Sequence, residues 1–370
     1  MKRTHWLAAL RRMDWAFLFA LGMLLLLGIL FIYSASARNA EEALSEMSRR
    51  QVMWAVVGAA CFVGVVVADY RRLDDAAWWL YMAGLVLLAL VFVIGKAKYG
   101  AVRWISFLGV QVQPSEVAKL GTLVLLAAFL SHPSRDVASW STFFGALALM
   151  AIPMFMIMRQ PDLGTAMTLV PMTLALLLAA GTPLRYLVGL GLCGLLALPV
   201  AWLLLHDYQK DRILVFLDPS RDPLDAGWNT VQSAIAVGSG GLTGKGYLRG
   251  TQNILGFLPR TVAPTDFIFS VIAEETGFLG SLTLLLLFAV LAFGGMRAAL
   301  RARDKFGRLL AVGVTVLVMF HVFVNMAMTI GLMPITGIPL PLVSYGGSFM
   351  VCTLAMLGIV QSVYVRRVRR

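Results

Sequence analysis

Ten apolar runs separated by short polar stretches organise the chain, at residues 14–34, 52–68, 76–95, 115–131, 140–158, 163–180, 184–205, 267–296, 309–331 and 342–365. Most lie near the roughly 20 residues that a helix needs to cross a bilayer core. Each therefore predicts a spanning helix, and together they predict an all-α polytopic membrane protein, a bundle of about ten transmembrane helices. Run 163–180 is the weakest, because it carries Pro171 and follows its neighbour closely. One connection is long, about 206–266, between the seventh and eighth runs. It holds Trp228, Tyr247, Phe257 and six glycines between Gly238 and Gly250, which predicts an ordered element of short helices and tight turns. No soluble domain, internal repeat or low-complexity tail interrupts the pattern, so residues 1–370 read as a single transmembrane domain.

Composition supports this reading. Hydrophobic residues make up 59% and charged residues 14% of the chain, and the mean hydropathy is +0.82. A globular domain carries about 25% charged residues. The net charge of +12 does not point to nucleic acid, because the basic residues lie between apolar runs instead of along one polar face. Cys61, Cys193 and Cys352 sit in separate apolar runs, and His5, His132, His206 and His321 show no ligand spacing, so zinc and redox chemistry gain no support. The first run follows Lys2, Arg3, Arg11 and Arg12, and Ala35-Ser36-Ala37 mimics a processing site. Its length from Trp15 to Tyr33, 19 residues, exceeds a signal-peptide core of about 7–15 and reads as a retained helix.

Charge also orients the bundle. With both termini in the cytoplasm, inner segments hold 17 Lys and Arg and short outer loops hold 7. That asymmetry fits the positive-inside rule and puts the 206–266 stretch outside.

Several polar clusters carry candidate chemistry. Gln113-Pro114-Ser115-Glu116 opens the fourth run, and Lys119 lies three residues after Glu116 on the same helix face. The pair is either functional or a helix-start pair at the interface with Ser115 as N-cap. Gln160-Pro161-Asp162-Leu163-Gly164-Thr165 opens the sixth run, where Asp162 reads first as an N-cap. The glycine-rich run 238–246 lacks the P-loop pattern, since Ser239 and Gly246 occupy the required Gly and Ser/Thr places. Its backbone could still approach a phosphate, or it is simply a turn-rich surface loop. Pro264-Thr265-Asp266-Phe267 enters the eighth run, with Glu274 and Glu275 two turns deeper. Thr265 or Asp266 is a cap or a functional group, whereas adjacent glutamates on a spanning helix face different neighbours and each needs one. Three prolines and three glycines between Pro334 and Gly347 break the helical pattern before the tenth run, which suits an element lining a cavity.

Taken in order, these stretches resemble the SEDS (shape, elongation, division and sporulation) family over nearly the whole chain. The matching motifs are Gln113-Pro114-Ser115-Glu116, Gln160-Pro161-Asp162-Leu163-Gly164-Thr165, Gly241-Leu242-Thr243-Gly244-Lys245-Gly246, Thr265-Asp266-Phe267-Ile268-Phe269 with Ala273-Glu274-Glu275, and Gly337-Ile338-Pro339-Leu340-Pro341 followed by Ser344-Tyr345-Gly346-Gly347-Ser348. The resemblance implies ten helices with a large outer loop between the seventh and eighth, in the bacterial cytoplasmic membrane. It implies a glycosyltransferase that polymerises lipid II, the undecaprenyl-pyrophosphate-linked disaccharide-peptide, with Asp266 as the essential aspartate. The substrate-binding set drawn from the motifs is Gln113, Ser115, Glu116, Lys119, Arg103, Asp162, Lys245, Glu275, Ser344, Gly346 and Gly347. One motif departs: family members often carry Leu-Pro-Glu shortly before Thr-Asp, whereas here Leu258-Pro259 is followed by Arg260-Thr261-Val262-Ala263-Pro264. The compact termini favour an elongation-type member over the division-type paralogue.

The implied reaction attacks the anomeric carbon of a lipid pyrophosphate with a sugar hydroxyl. An aspartate near its ordinary pKa of about 3.9 can take the hydroxyl proton. Lys119, Arg103 and Lys245 are candidate cations for the leaving group, and a divalent cation, Mg or Mn, is an alternative source of charge, with no protein metal site assigned. The implied partners are a class B penicillin-binding transpeptidase and other elongation-complex proteins, and no nucleic acid. The rival readings are a lipid II flippase, whose paired broken helices and internal repeat are not found, and a non-catalytic scaffold. The chain lacks Ser-x-x-Lys and so is not itself a penicillin-binding transpeptidase. The orientation is testable with single cysteines near Arg221 and near Arg303 in otherwise unreactive protein. A membrane-impermeant thiol reagent should label the first from outside and spare the second; the reverse pattern would invert the topology.

Overall fold

A computed structural model describes residues 12–36, 46–98, 101–107, 110–224, 226–259 and 262–367. Lys2, Arg3, Arg11 and Ala37, named for orientation and processing, lie outside the described residues, as do Arg260 and Thr261 of the lengthened gap.

Each expected run falls on a helix. These are α1 (Trp15–Ser36), α2 (Glu46–Val67), α3 (Arg72–Ile94), α4 (Pro114–Ser131), α5 (Trp140–Met158), α6 (Leu163–Ala180) and α7 (Leu184–Leu204). The 206–266 stretch contains α8 (Asp207–Leu217), a 3-10 turn (Pro219–Arg221), α9 (Ala226–Ser239) and α10 (Thr251–Ile254). Then follow α11 (Ile268–Leu300), α12 (Lys305–Thr329) and α13 (Gly347–Val365). Among the described residues nine helices are long and apolar enough to cross a membrane, and α7 adds a shorter apolar stretch at Leu184–Val200. The weakest expected run, 163–180, is a complete helix.

Two features were not anticipated. Between α3 and α4 the chain forms an antiparallel sheet, β1 (Lys96–Lys98), β2 (Ala101–Phe107) and β3 (Val110–Val112), in that order. The aromatic and β-branched residues Trp104 and Ile105 of β2 favour this pairing. Second, α13 starts at Gly347, not at 342, because Leu342 and its neighbours belong to the irregular segment before it.

Helices α4, α12 and α13 form the inner bundle, while α2, α3, α5 and much of α11 turn apolar side chains outward. Trp79, Val93 and Leu196 are all more than three-quarters exposed. In water that surface would be unstable, and lipid is its natural solvent. Small residues set the closest approaches, as is usual in membranes. A Cβ on Gly121 would lie 2.7 Å from the Leu80 carbonyl oxygen, and one on Gly28 would lie 2.6 Å from that of Leu342.

Both described ends of the chain lie at one end of the bundle. Asp14 pairs with Arg297 at 2.7 Å, and Arg366 donates to the carbonyls of Val66 and Val67 at the end of α2. Asp304 caps α12 by accepting from the Gly307 N–H at 2.8 Å, and it also accepts from the Tyr70 hydroxyl and Arg71. Burial pushes the Asp304 carboxyl up, but those three donors outweigh it and hold the group below the usual carboxylate range. The sheet, the 206–266 stretch and the irregular segment 330–346 gather at the opposite end.

The glycine run docks onto a break in α11. Gly277 there has φ +66 and ψ −160, a conformation open to glycine and costly for other residues. The Lys245 and Gly246 N–H groups donate to the carbonyls of Glu274 and Glu275, each at 3.0 Å, and the Phe278 N–H donates back to Gly241 at 2.9 Å. These bonds satisfy polar backbone that the break would otherwise strand. Helix α9 is fixed beside it, with the Ser233 hydroxyl donating to the Thr329 carbonyl at 2.7 Å.

Candidate active site

The segment from Val262 to Phe267 is a tight turn in which the Val262 carbonyl accepts from the N–H groups of Thr265, Asp266 and Phe267. The irregular segment packs over it. The Ser344 hydroxyl donates to the Thr265 carbonyl at 2.5 Å and accepts from the Leu340 N–H at 2.8 Å. The Tyr345 N–H donates to the Pro264 carbonyl at 2.9 Å. From α12, the Asn325 amide donates to the backbone carbonyls of Asp266, at 2.9 Å, and Ile338, at 2.8 Å. Gly337, at φ +72, faces the carboxylate, since a Cβ there would lie 3.5 Å from Asp266 Oδ2.

Asp266 is not a helix cap, and neither is Thr265. The N-cap of α11 is Phe267, and no side chain caps it. Asp266 precedes the spanning residues and is partly buried. Burial pushes its carboxyl up to about 6, against the Thr265 hydroxyl, Arg212 and Arg103, which draw it down, and Asp162, which adds to the rise. The result is a carboxylate that changes charge near neutrality, a property frequent at functional sites.

A second cluster adjoins it. Asp162 does cap α6, accepting from the Thr165 N–H at 3.2 Å. The same carboxylate accepts from Gln113 at 3.3 Å and faces Arg103 of β2 at 3.7 Å. Arg103 also donates to the carbonyls of Gln160 and Pro161. Gly164 brings this helix start against the Thr336 carbonyl, one residue from Gly337. Arg103, Gln113 and Asp162 are thereby brought beside Asp266.

The remaining residues occupy other positions. Glu116 and Lys119 pair at 2.8 Å, but both are buried inside the bundle, not at the interface. The Lys119 ammonium also lies 3.1 Å from His321 Nε2. His321 Nδ1 lies 2.8 Å from the Leu317 carbonyl, which can only accept. So Nδ1 carries the ring proton, Nε2 accepts, and Lys119 donates to both neighbours. Ser115 is not the N-cap of α4: Gln113 is, Pro114 occupies the first turn, and the buried Ser115 hydroxyl has no hydrogen-bond partner among the described residues. Lys245 pairs with Glu274 at 2.7 Å and donates to Thr251, so it braces the glycine loop and does not join the Asp266 cluster. Glu275 accepts from Ser34 of α1 at 2.5 Å, but both adjacent glutamates also face one loop, since a Cβ on Gly250 would lie 2.9 Å from Glu274 Oε2 and 3.2 Å from Glu275 Oε1. Ser344 positions the Asp266 turn, Gly346 donates its N–H to Gln51, and Gly347 lies against the Trp54 indole.

Sequence reasoning missed Asn325, Arg212 and the role of His321. Asn325 and His321 are polar residues one helical turn apart within an apolar run, a signal of intramembrane function that was available. Arg212 lies in a polar stretch and carried no such signal. Among the described residues no three His, Cys, Asp or Glu side chains converge as a metal cage. Two carboxylates interleaved with two guanidiniums do not fit a resident Mg or Mn ion, which prefers oxygen ligands without competing cations.

A family model described as "Cell cycle protein" (FTSW_RODA_SPOVE) matches residues 14–368. The chain is 39% identical over 370 residues to the peptidoglycan glycosyltransferase MrdB of Escherichia coli K12, covering 99% of this chain and 96% of that one. It is 38% identical to a probable peptidoglycan glycosyltransferase FtsW of Geobacter metallireducens, covering 97% and 96%. Among solved structures it resembles a chain from work on structural coordination of polymerization and crosslinking by a peptidoglycan synthase complex, with TM-score 0.79, 33% identity and coverage of 95% and 97%. It also resembles the rod shape determining protein RodA of Thermus thermophilus, with TM-score 0.71, 31% identity and coverage of 97% and 98%.

The Asp266 environment has a thermodynamic consequence. A folded-state carboxyl raised from 3.8 to about 6 favours the fold below the unfolded value and loses that contribution as pH rises through about 6. Asp266→Asn removes a charge that is disfavoured at neutral pH. The variant is expected to melt at or above the wild-type temperature at neutral pH, with the difference shrinking as pH falls toward 4. A variant that melts well below wild type at neutral pH would contradict the assignment of the shift.

Proposed function

Because the chain belongs to the FtsW/RodA/SpoVE family of cell cycle proteins, we infer that it is a peptidoglycan glycosyltransferase that polymerises lipid II into glycan strands, with Asp266 as general base. The observation that carries this reading is the Asp266 carboxylate: it is excluded from capping α11, held through its own carbonyl to α12 and through the carbonyls of Pro264 and Thr265 to the 337–345 segment, and pushed up to about 6. A base whose pKa lies near the working pH combines a useful ionised fraction with useful proton affinity. In the proposed step a sugar hydroxyl of one strand end forms a bond to the anomeric carbon of the other. The bond from that carbon to the pyrophosphate breaks, the electron pair leaves with the lipid pyrophosphate, and Asp266 takes the hydroxyl proton. Arg103, braced by Asp162 and by two carbonyls, stands beside this reaction as a fixed cation.

The Glu116–Lys119–His321 group lies inward of Gln113 and is enclosed, so its proposed role is to set the position of the α4 start instead of touching substrate. The elongation role follows the resemblance to MrdB. A division role is the second reading, carried by the nearly equal identity to an FtsW. Both termini are proposed to face the cytoplasm, with the 206–266 stretch and Asp266 outside, where lipid-linked sugars are polymerised. A class B penicillin-binding transpeptidase is the proposed partner, supported by the likeness to a chain from a polymerising and crosslinking synthase complex.

The test uses purified protein and lipid II with no second polymerase. General-base assistance is worth about 10²–10⁴ in rate, or roughly 3–5 kcal/mol. Asp266→Asn should therefore lower polymerisation at least about a hundredfold at unchanged yield. Adding the cognate transpeptidase should raise the wild-type rate and leave the variant inactive. Near-normal polymerisation by the variant would remove Asp266 from the chemistry, and a transpeptidase without effect on rate would remove the partner.

A further inference from the structure

Asn325 is fully buried on α12, one helical turn after His321 and one before Thr329. These three polar residues reach different elements. His321 meets Lys119 of α4, and the Thr329 carbonyl accepts from Ser233 of α9. Asn325 Nδ2 donates to the Asp266 carbonyl at 2.9 Å and to the Ile338 carbonyl at 2.8 Å. Two carbonyl acceptors fix the orientation of the amide, because the flipped side chain would set three oxygens against one another. The Oδ1 atom is then buried with no hydrogen-bond partner among the described residues. Leucine would fill the same space without an unpaired oxygen, but it would strand both carbonyls. Ser and Thr offer one O–H donor each, and Lys or Arg would bring a charge. A neutral double donor on a short stem is what this position supplies.

The two acceptors belong to the two halves of the site. The first is the backbone of Asp266 itself. The second follows Gly337, where a Cβ would lie 3.5 Å from Asp266 Oδ2. On the other side of Gly337, the Thr336 carbonyl lies against the first turn of α6, 2.5 Å from where a Cβ on Gly164 would sit. That helix start holds Asp162, which faces Arg103 at 3.7 Å and accepts from Gln113. One nitrogen therefore joins the turn that carries the carboxylate to the backbone that rests on the Arg103–Asp162 cluster. Ser344 and Tyr345 bond the same turn, but at the carbonyls of Thr265 and Pro264. Neither reaches the carbonyl of Asp266.

We propose that Asn325 is a positioning residue for the transfer reaction: by bonding Asp266 and Ile338 together, it sets the spacing between the Asp266 carboxylate and the Arg103–Asp162 cluster. This role rests on the reading of Asp266 as the general base and adds the group that aims it. A base and a fixed cation act on different atoms of one transition state, so an error of about 1 Å in their spacing costs up to about a hundredfold in rate. Substrate binding is spread over a wider surface and is less sensitive to it. The amide also keeps water from the carboxylate. Burial is the main cause of the raised Asp266 carboxyl; Thr265 of its own turn, Arg212 of α8 and Arg103 of β2 draw it down, and Asp162 at the start of α6 adds to the rise. From α12 the facing group is the neutral Asn325 amide. A turn released from α12 admits water, and the carboxyl falls from about 6 toward its ordinary 3.8.

The experiment compares wild type with Asn325→Leu, Asn325→Gln and Ser233→Ala as purified full chains in nanodiscs. Lipid II polymerisation is followed across the pH range, and the Asp266 carboxyl is titrated by infrared difference spectra against Asp266→Asn in each background. Asn325→Leu should lower kcat about tenfold to a hundredfold and leave the KM for lipid II within about threefold. Its pH midpoint, in rate and in infrared signal, should fall clearly below the wild-type value of about 6. Asn325→Gln keeps both N–H donors on a stem one methylene longer. It covers the case in which Asn325→Leu fails to fold, and it should show the same pattern with a smaller loss. Ser233→Ala removes a buried hydroxyl that bonds Thr329 and Ser270, so it loosens α12 one turn away from Asn325. It should lower the melting temperature, keep kcat within about threefold of wild type and leave the midpoint in place. Folded Asn325 variants with the kcat and midpoint of wild type would overturn the proposal. So would a Ser233→Ala variant that loses as much kcat as Asn325→Leu at the same melting temperature. The two readings fail separately. If wild type polymerises nothing, the general-base reading falls, and the infrared midpoint alone decides whether Asn325 places the carboxylate. If wild type polymerises but neither midpoint nor kcat responds to Asn325, the activity stands and the positioning role falls.

Discussion

Backbone that leaves the helical pattern inside a membrane protein must find partners within the protein, and segment 330–346 is where this chain meets that demand. The amide of Asn325 answers two of its needs at once, donating to the carbonyls of Ile338 and Asp266. The Ser344 hydroxyl answers two more, accepting from Leu340 and donating to Thr265. An unpaired polar group in hydrocarbon costs several kcal/mol, so these contacts are obligatory. Their by-product is geometric. The turn that carries Asp266 is bonded on both sides through its backbone, which leaves the carboxylate to face Gly337 and the cluster at the start of α6. Leu342, buried at φ +66, lies in the same segment. For a residue other than glycine that conformation is strained, and strain of this kind concentrates at functional sites.

Charge is distributed around this frame in separate pairs. Glu116 with Lys119, Glu274 with Lys245, Asp162 with Arg103 and Asp14 with Arg297 each match one acid to one base. A buried pair gains little net stability over apolar packing, but removing one member is costly because the other is stranded. Asp266 differs from all four acids. Its nearest guanidiniums act at a distance, no capping role absorbs it, and its carboxyl is pushed up to about 6. Asp266 and Glu275 both stand outside these ion pairs among the described residues, and of the two it is Asp266 that sits before the spanning helix, where the proposed proton transfer would need it.

Much of this was legible beforehand. The runs of apolar residues located the spans, and residues 163–180 were placed to the residue although Pro171 weakened them. Adjacency suggested separate neighbours for Glu274 and Glu275, yet their carboxylates meet at Gly250, because the glycine loop docks on the helix break and reaches both. Their side-chain partners, Lys245 and Ser34, were not legible, since sequence separation says nothing about which loop docks on a helix break. Of the two readings left open for the start of α4, the one with Ser115 as N-cap falls away, because Gln113 takes that place and Pro114 fills the first turn. The three strands near residue 100 escaped notice because they are brief and lie between long apolar runs. Arg212 was beyond reach: only the fold brings α8 against Ile335.

The central claim is that Asp266 removes the acceptor proton with a carboxyl that titrates near pH 6. The pH dependence of lipid II polymerisation by the purified chain tests it most directly. The rate should rise about tenfold per pH unit below pH 6 and level off by about pH 7, as expected for one essential ionised base. A rate that stays flat across that interval, in protein that remains folded, would contradict the account.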